Sequence, residues 1–101
     1  MCGIVLATGT LATNEKKMFK RMLELDTVRG PHSTGIVSAG LTTKISKALG
    51  TPWDLFQCKH FDTAMTNASR ALIGHNRYAT QGVISRQNAH PFEHGDYLGV
   101  H

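Results

Sequence analysis

Met1-Cys2-Gly3-Ile4-Val5-Leu6-Ala7-Thr8 opens the chain. Gly3 to Thr8 is a short apolar, β-branched run closed by Thr8-Gly9-Thr10, and it reads as a buried strand. The residue ahead of that strand is Cys2. Removal of Met1 leaves Cys2 as a first residue bearing two useful groups, a thiol nucleophile and a free α-amine. Free thiols and α-amines both titrate within about two units of neutral pH. An internal cysteine must instead borrow a base from another side chain. The competing reading is a small residue filling a strand end, so the rest of the chain decides between them.

Outward from that strand, Thr13 or Asn14 can cap a helix over 14–26, with Glu15 in its first turn. Met18, Met22 and Leu25, with Phe19 and Leu23 beside them, follow helical spacing and are expected in the core. Pro31 prevents the helix from continuing into Arg29-Gly30-Pro31-His32-Ser33-Thr34-Gly35, a polar turn-forming segment. Ile36–Leu41 and Lys44–Leu49 read as strands joined around Thr42-Thr43. Thr51, Pro52 and Asp54 start a second helix that should end near Lys59, with a third around Asp62–Asn67. Ala71–Gly74 is an apolar strand. His75–Asp96 is a polar irregular stretch of the kind that carries function, and Tyr97–His101 begins another strand. This order predicts an α+β fold.

With 101 residues, 41% hydrophobic and 18% charged, the chain fits one globular domain. Two cysteines are too few for a disulfide framework, which suggests a reducing, cytoplasmic setting. No signal-like or membrane-spanning run is evident. The net charge of +4 raises nucleic-acid binding. Its densest cluster, Lys16, Lys17, Lys20 and Arg21, is instead read as the solvated face of the first helix, without interleaved aromatics. Six histidines invite a metal. Yet His90 with His94, and Cys58 with His60, form neither a Cys-x-x-Cys nor a His-Glu-x-x-His pattern, so no metal is expected. Cys58 reads as a packed residue late in the second helix. No glycine-rich phosphate loop is present, and no cofactor is expected.

The chemistry-bearing residues fall in 29–35 and 74–92. The second stretch reads Gly74-His75-Asn76-Arg77-Tyr78-Ala79-Thr80-Gln81-Gly82, then Asn88-Ala89-His90-Pro91-Phe92. Arg77 with Thr80 offers a fork of donors plus a hydroxyl, suited to orienting a carboxylate. Gly82 lets backbone approach a ligand, and Gln81 adds hydrogen-bonding capacity.

Taken together, Met1-Cys2-Gly3-Ile4, Arg29-Gly30-Pro31 with Ser33 and Gly35, and the 74–82 and 88–91 segments resemble the class II glutamine amidotransferase domain, an N-terminal-nucleophile (Ntn) hydrolase. The resemblance implies the amino-terminal part of an αββα four-layer sandwich, with residues 1–101 forming an incomplete domain that stops after a mid-domain strand. It implies that Cys2 attacks the side-chain amide of L-glutamine with its own α-amine as base, through a water. Arg77 and Thr80 would hold the α-carboxylate, with the backbone at Gln81 assisting. Arg29 and Gly30 would shape the pocket beside the nucleophile, and His90 would brace the binding loop.

Ammonia would pass to a synthase domain or complementary segment absent from this chain. The sequence departs from the common pattern at His32 (often Asp), Tyr78 (often Trp), Asn76 (often Thr) and Gln81 (often His). The Asn-Gly pair that forms part of the oxyanion hole, and a later amine-binding aspartate, are not in the chain. The alternative is therefore a catalytically incomplete folding or interaction module that needs its missing half or a partner.

Overall fold

The computed structural model describes residues 2–67, 69–80 and 82–100. Four antiparallel strands form the main sheet: β1 (Gly3–Thr8), β2 (Ser33–Gly40), β3 (Thr43–Leu49) and β4 (Ser69–Arg77), in the order β1-β4-β2-β3. Helices α1 (Thr13–Leu25), α2 (Pro52–Phe56) and α3 (Lys59–Thr66) cover one face. A short hairpin, β5 (Phe92–His94) with β6 (Tyr97–Gly99), forms a second small sheet. The fold is α+β, one helical layer on one strand layer, in keeping with part of an N-terminal-nucleophile domain.

The core lies between helices and sheet: Phe19 and Leu23 of α1, Leu55, Phe61 and Ala64 meet Val5, Ile36 and Leu72. Phe19 and Leu23, four apart, share the buried stripe of α1. They reach the sheet at Gly74, where a Cβ would stand 2.8 Å from Leu23 Cδ1 and 3.0 Å from Phe19 Cζ. The methionines expected in this core are not there: Met18 is 61% and Met22 42% exposed. Each precedes a core residue by one position, and a turn of about 100° per residue carries it off the buried stripe.

Several element boundaries differ from the sequence expectation. The N-cap of α1 is Ala12, with no side-chain bond, and Thr13 and Asn14 lie inside the helix. The second helix ends at Phe56 rather than Lys59, because Cys58 is extended (φ −85°, ψ 137°) and becomes the N-cap of α3. That break brings the Phe56 and Phe61 rings to 4.8 Å. The basic cluster is only partly a solvated face. Lys16 Nζ donates to the carbonyls of Met65 (2.7 Å) and Asn67 (3.2 Å) at the C-terminal end of α3. There a cation also complements the helix dipole. Lys20 Nζ lies 4.7 Å from the Phe56 ring centre.

β1 is not buried on both faces. Val5 is inward, while Ile4 and Leu6 are 50% and 57% exposed on the other side of this edge strand. Two segments read as loops are strand: Ser33 to Gly35 begins β2, and His75 to Arg77 ends β4. Polar residues can lie there because the sheet supplies partners. Buried Asn76 accepts from Thr34 Oγ1 (3.0 Å) and donates through Nδ2 to the Leu23 carbonyl (2.9 Å), tying the sheet to the end of α1. β5 also arises within the stretch read as irregular.

Candidate active site

The site forms where β4 ends between the starts of β1 and β2. Gly3 pairs with Asn76, and Ser33 with Arg77. Continuing the antiparallel register by one residue brings Cys2 beside Arg77 and Tyr78. The Tyr78 backbone N–H donates to Cys2 Sγ at 3.3 Å, and Sγ lies 3.7 Å from the Tyr78 carbonyl oxygen as a long donor contact. The thiol is half-buried and not in a disulfide.

Two residues from the 29–35 segment support that peptide. Gly30 packs so closely behind it that a Cβ would stand 2.5 Å from Tyr78 N and 2.6 Å from Arg77 O. His32 receives the Ala79 N–H on Nδ1 at 2.8 Å, and its own N–H donates to the Arg77 carbonyl at 3.0 Å. Its ring also sits 4.9 Å from that of Tyr78. The imidazole thus offers the chain an acceptor, the property an aspartate would bring. Arg29 is exposed, at the end of a 3-10 turn (Asp26–Arg29), and is not part of the cavity wall. It lowers the pKa of Asp26, whose carboxyl is held above the ordinary range chiefly by burial.

One cavity of ≈ 530 Å³ gathers the separated segments. Cys2, Arg77, Tyr78 and Thr80 line it together with Gly82, Asn88, His90 and Phe92. This volume falls in the range of small-molecule sites. Arg77 is only 6% exposed, and its Nη1 donates to the Val83 carbonyl at 3.0 Å. Asn88 Nδ2 donates to the same carbonyl at 3.0 Å, so the strand end and the loop share an anchor. His90 stacks on His75 of β4 (ring centres 4.1 Å, 18° apart) and meets Phe92 at 4.4 Å. Gly35 allows this, since a Cβ there would overlap the His90 carbonyl.

Of the residues singled out from sequence, Cys2, Arg77, Thr80 and His90 line this one cavity. Gly30 stands behind its wall, and Gln81 lies outside the described residues. Sequence reasoning gave no role to the Tyr78 N–H, the His32 ring or Asn88. The Asn88-Ala89-His90-Pro91 match marked the segment but not its contact with Val83. Among the described residues no group of three His, Cys, Asp or Glu side chains could hold a metal ion. No helix among them is long and apolar enough to cross a membrane.

No family model matches the chain. Individual proteins do. It is 33% identical to amidophosphoribosyltransferase of Escherichia coli (strain K12) over 102 aligned residues, covering 99% of this chain and 19% of that protein. It is 37% identical over 93 residues to the glutamine–fructose-6-phosphate aminotransferase (isomerizing) of Methanococcus maripaludis, covering 90% of this chain and 14% of that protein. The protein of the same name from Lactococcus lactis subsp. lactis is 36% identical over 105 residues, covering 100% of this chain and 16% of its own length. The chain therefore spans less than a fifth of the length of any of these three. Over nearly its whole length the chain is thus similar to the N-terminal region of two kinds of class II glutamine amidotransferase, which are N-terminal-nucleophile enzymes.

Proposed function

We propose that this chain carries the nucleophile and part of the substrate pocket of a glutamine-hydrolysing site that releases ammonia from L-glutamine. The observation behind the reading is the single cavity on which Cys2, Arg77 and Thr80 converge. Met1 is removed, and the Cys2 α-amine takes the thiol proton. Sγ then bonds to the side-chain amide carbon. The tetrahedral intermediate collapses as the amine returns that proton to the leaving nitrogen, giving ammonia and a γ-glutamyl thioester. Water hydrolyses the thioester to glutamate and regenerates the thiol.

Arg77 and Thr80 hold the α-carboxylate, with Gln81 assisting, and so orient the amide for attack. Gly30 and His32 keep the Arg77–Tyr78 peptide against Cys2. His90, stacked on His75, braces the cavity wall. Arg29 acts from outside the cavity, through its neighbours. Residues 1–101 belong to a larger glutaminase domain in this reading, and a synthase domain or partner consumes the ammonia.

The test is ammonia release from glutamine by a chain whose mass confirms a Cys2 N-terminus, alone and with the complementary segment of the relatives. Release that disappears in Cys2→Ala supports the proposal. No release under either condition refutes it.

A second reading is favoured by the exposed Ile4 and Leu6 on edge strand β1. Such a surface suits a chain that works as an interaction module. Sedimentation that shows the chain remaining monomeric, and not binding that complementary segment, removes it.

A further inference from the structure

Asp26 stands at the start of the 3-10 turn, directly after α1. Its carboxylate occupies the space in which a side chain on Gly3 would begin, with Oδ1 2.8 Å from that Cβ position and Oδ2 overlapping it. Oδ2 is buried and accepts no hydrogen bond. A buried carboxylate oxygen without a donor is unfavourable unless a cation or donor completes it. Four covalent bonds separate the Gly3 Cα from the Cys2 nitrogen, a reach of at most about 5 Å. In a chain that begins at Cys2, this nitrogen is the terminal amine, and it is an ammonium once it has taken the thiol proton.

We propose that Asp26 holds the α-ammonium of the processed Cys2 and is the positioning residue for the amine that serves the thiol. The proposal rests on the glutamine-hydrolysing reading above. In this arrangement Gly3 is glycine so that the carboxylate can approach the head of β1. Processing then supplies the cation that the carboxylate lacks.

The elements packed on the turn are β1, α1 and β4. β1 brings Cys2. α1 brings Glu24, paired with Arg21 at 3.0 Å. β4 brings His75, stacked on His90, and Arg77, bonded to Val83. From the turn itself, Arg29 is the charged group that acts on Asp26.

The test uses the chain beginning at Cys2, released from a cleavable fusion, with the α-amine followed by NMR of isotope-labelled Cys2. Asp26→Asn should lower the titration midpoint of the amine by about one unit, and Asp26→Glu should largely restore it. An unchanged midpoint in Asp26→Asn overturns the proposal. A second measurement needs no substitution: the Asp26 carboxyl should titrate lower in the free-amine chain than in the N-acetylated one, and equal values overturn the proposal. Neither readout depends on turnover. A shifted amine in a chain that releases no ammonia, either alone or with the complementary segment, therefore sinks the glutamine reading and keeps the ion pair. Turnover with an unmoved amine does the reverse.

Discussion

The Tyr78 N–H donates to Cys2 Sγ at 3.3 Å, joining the end of the central strand to the residue that precedes the first. This contact depends on the β1–β4 register and on whatever fixes the Arg77–Tyr78 peptide from behind. Gly30 and His32 do the latter.

Gly30→Ala should displace that peptide, because the added methyl meets backbone that cannot rotate away. Overpacking of this kind costs about 1–3 kcal/mol. Chemical denaturation should show the loss, and the rate of Cys2 alkylation should change with it. A variant of unaltered stability and alkylation rate would contradict the packing described.

Replacing His32 by Phe keeps a ring beside Tyr78 but removes the acceptor for the Ala79 N–H. The bond is part-buried, and its loss costs about 0.5–1.5 kcal/mol. Hydrogen exchange at Ala79 should accelerate relative to exchange at residues of β2, which reports the lost bond directly.

Asn76→Ala strips partners from both Thr34 and the Leu23 carbonyl. Each keeps a weaker second contact, Thr34 Oγ1 with the Gly50 carbonyl (3.2 Å) and the Leu23 carbonyl with Thr27 Oγ1 (3.4 Å), so destabilisation of about 1 kcal/mol is expected from equilibrium unfolding. Asn76→Asp should fare no better, since it cannot donate to Leu23.

Arg77→Lys bears on the glutamine reading. A lysine is a point charge and cannot reproduce a guanidinium that both bonds Val83 and faces the cavity. Steady-state kinetics should show KM for glutamine raised about tenfold or more, with kcat falling less. An unchanged KM would remove Arg77 from substrate binding.

Asp54 gives a pH signature. The Thr51 N–H (2.7 Å) and hydroxyl (3.0 Å) both donate to its carboxylate, holding its pKa below the ordinary carboxylate value. A folded pKa below the unfolded one adds stability that is fully present above the unfolded pKa. That stability is lost as the pH falls through the folded value. Relative to Asp54→Asn, the protein should therefore keep a constant advantage in Tm above about pH 5 and lose it in stronger acid. An advantage that persists unchanged at low pH would rule the capping box out as its source.

Local rules carried much of the fold. The Thr51-Pro52-Trp53-Asp54 start of α2 was legible because capping is decided within four residues. The Phe19/Leu23 spacing announced α1, although periodicity alone did not separate the two core residues from Met18 and Met22. Their assignment depended on where Gly74 opens the sheet. His75-Asn76-Arg77 read as a loop because its polarity argued against a strand. Its partners are Thr34, Leu23, Val83 and His90, which lie elsewhere in the chain.

The candidate site divides in the same way. Cys2, Arg77, Thr80 and His90 were marked by their motifs, as residue types whose chemistry is intrinsic. The Tyr78 N–H, the His32 acceptor, Asn88 and the Asp26 carboxylate carried no such mark, since a backbone amide or a common polar side chain gains a role only from what stands opposite it. By itself the sequence determined the α+β class, the nucleophile candidate and the segments that bear chemistry, because periodicity, turn formation and side-chain reactivity are local. Only the tertiary structure decided that Cys2 meets Tyr78, that Gly30 backs their contact, and that Asp26 lies against Gly3. Those are distances between residues far apart in the chain, set by strand register and close packing.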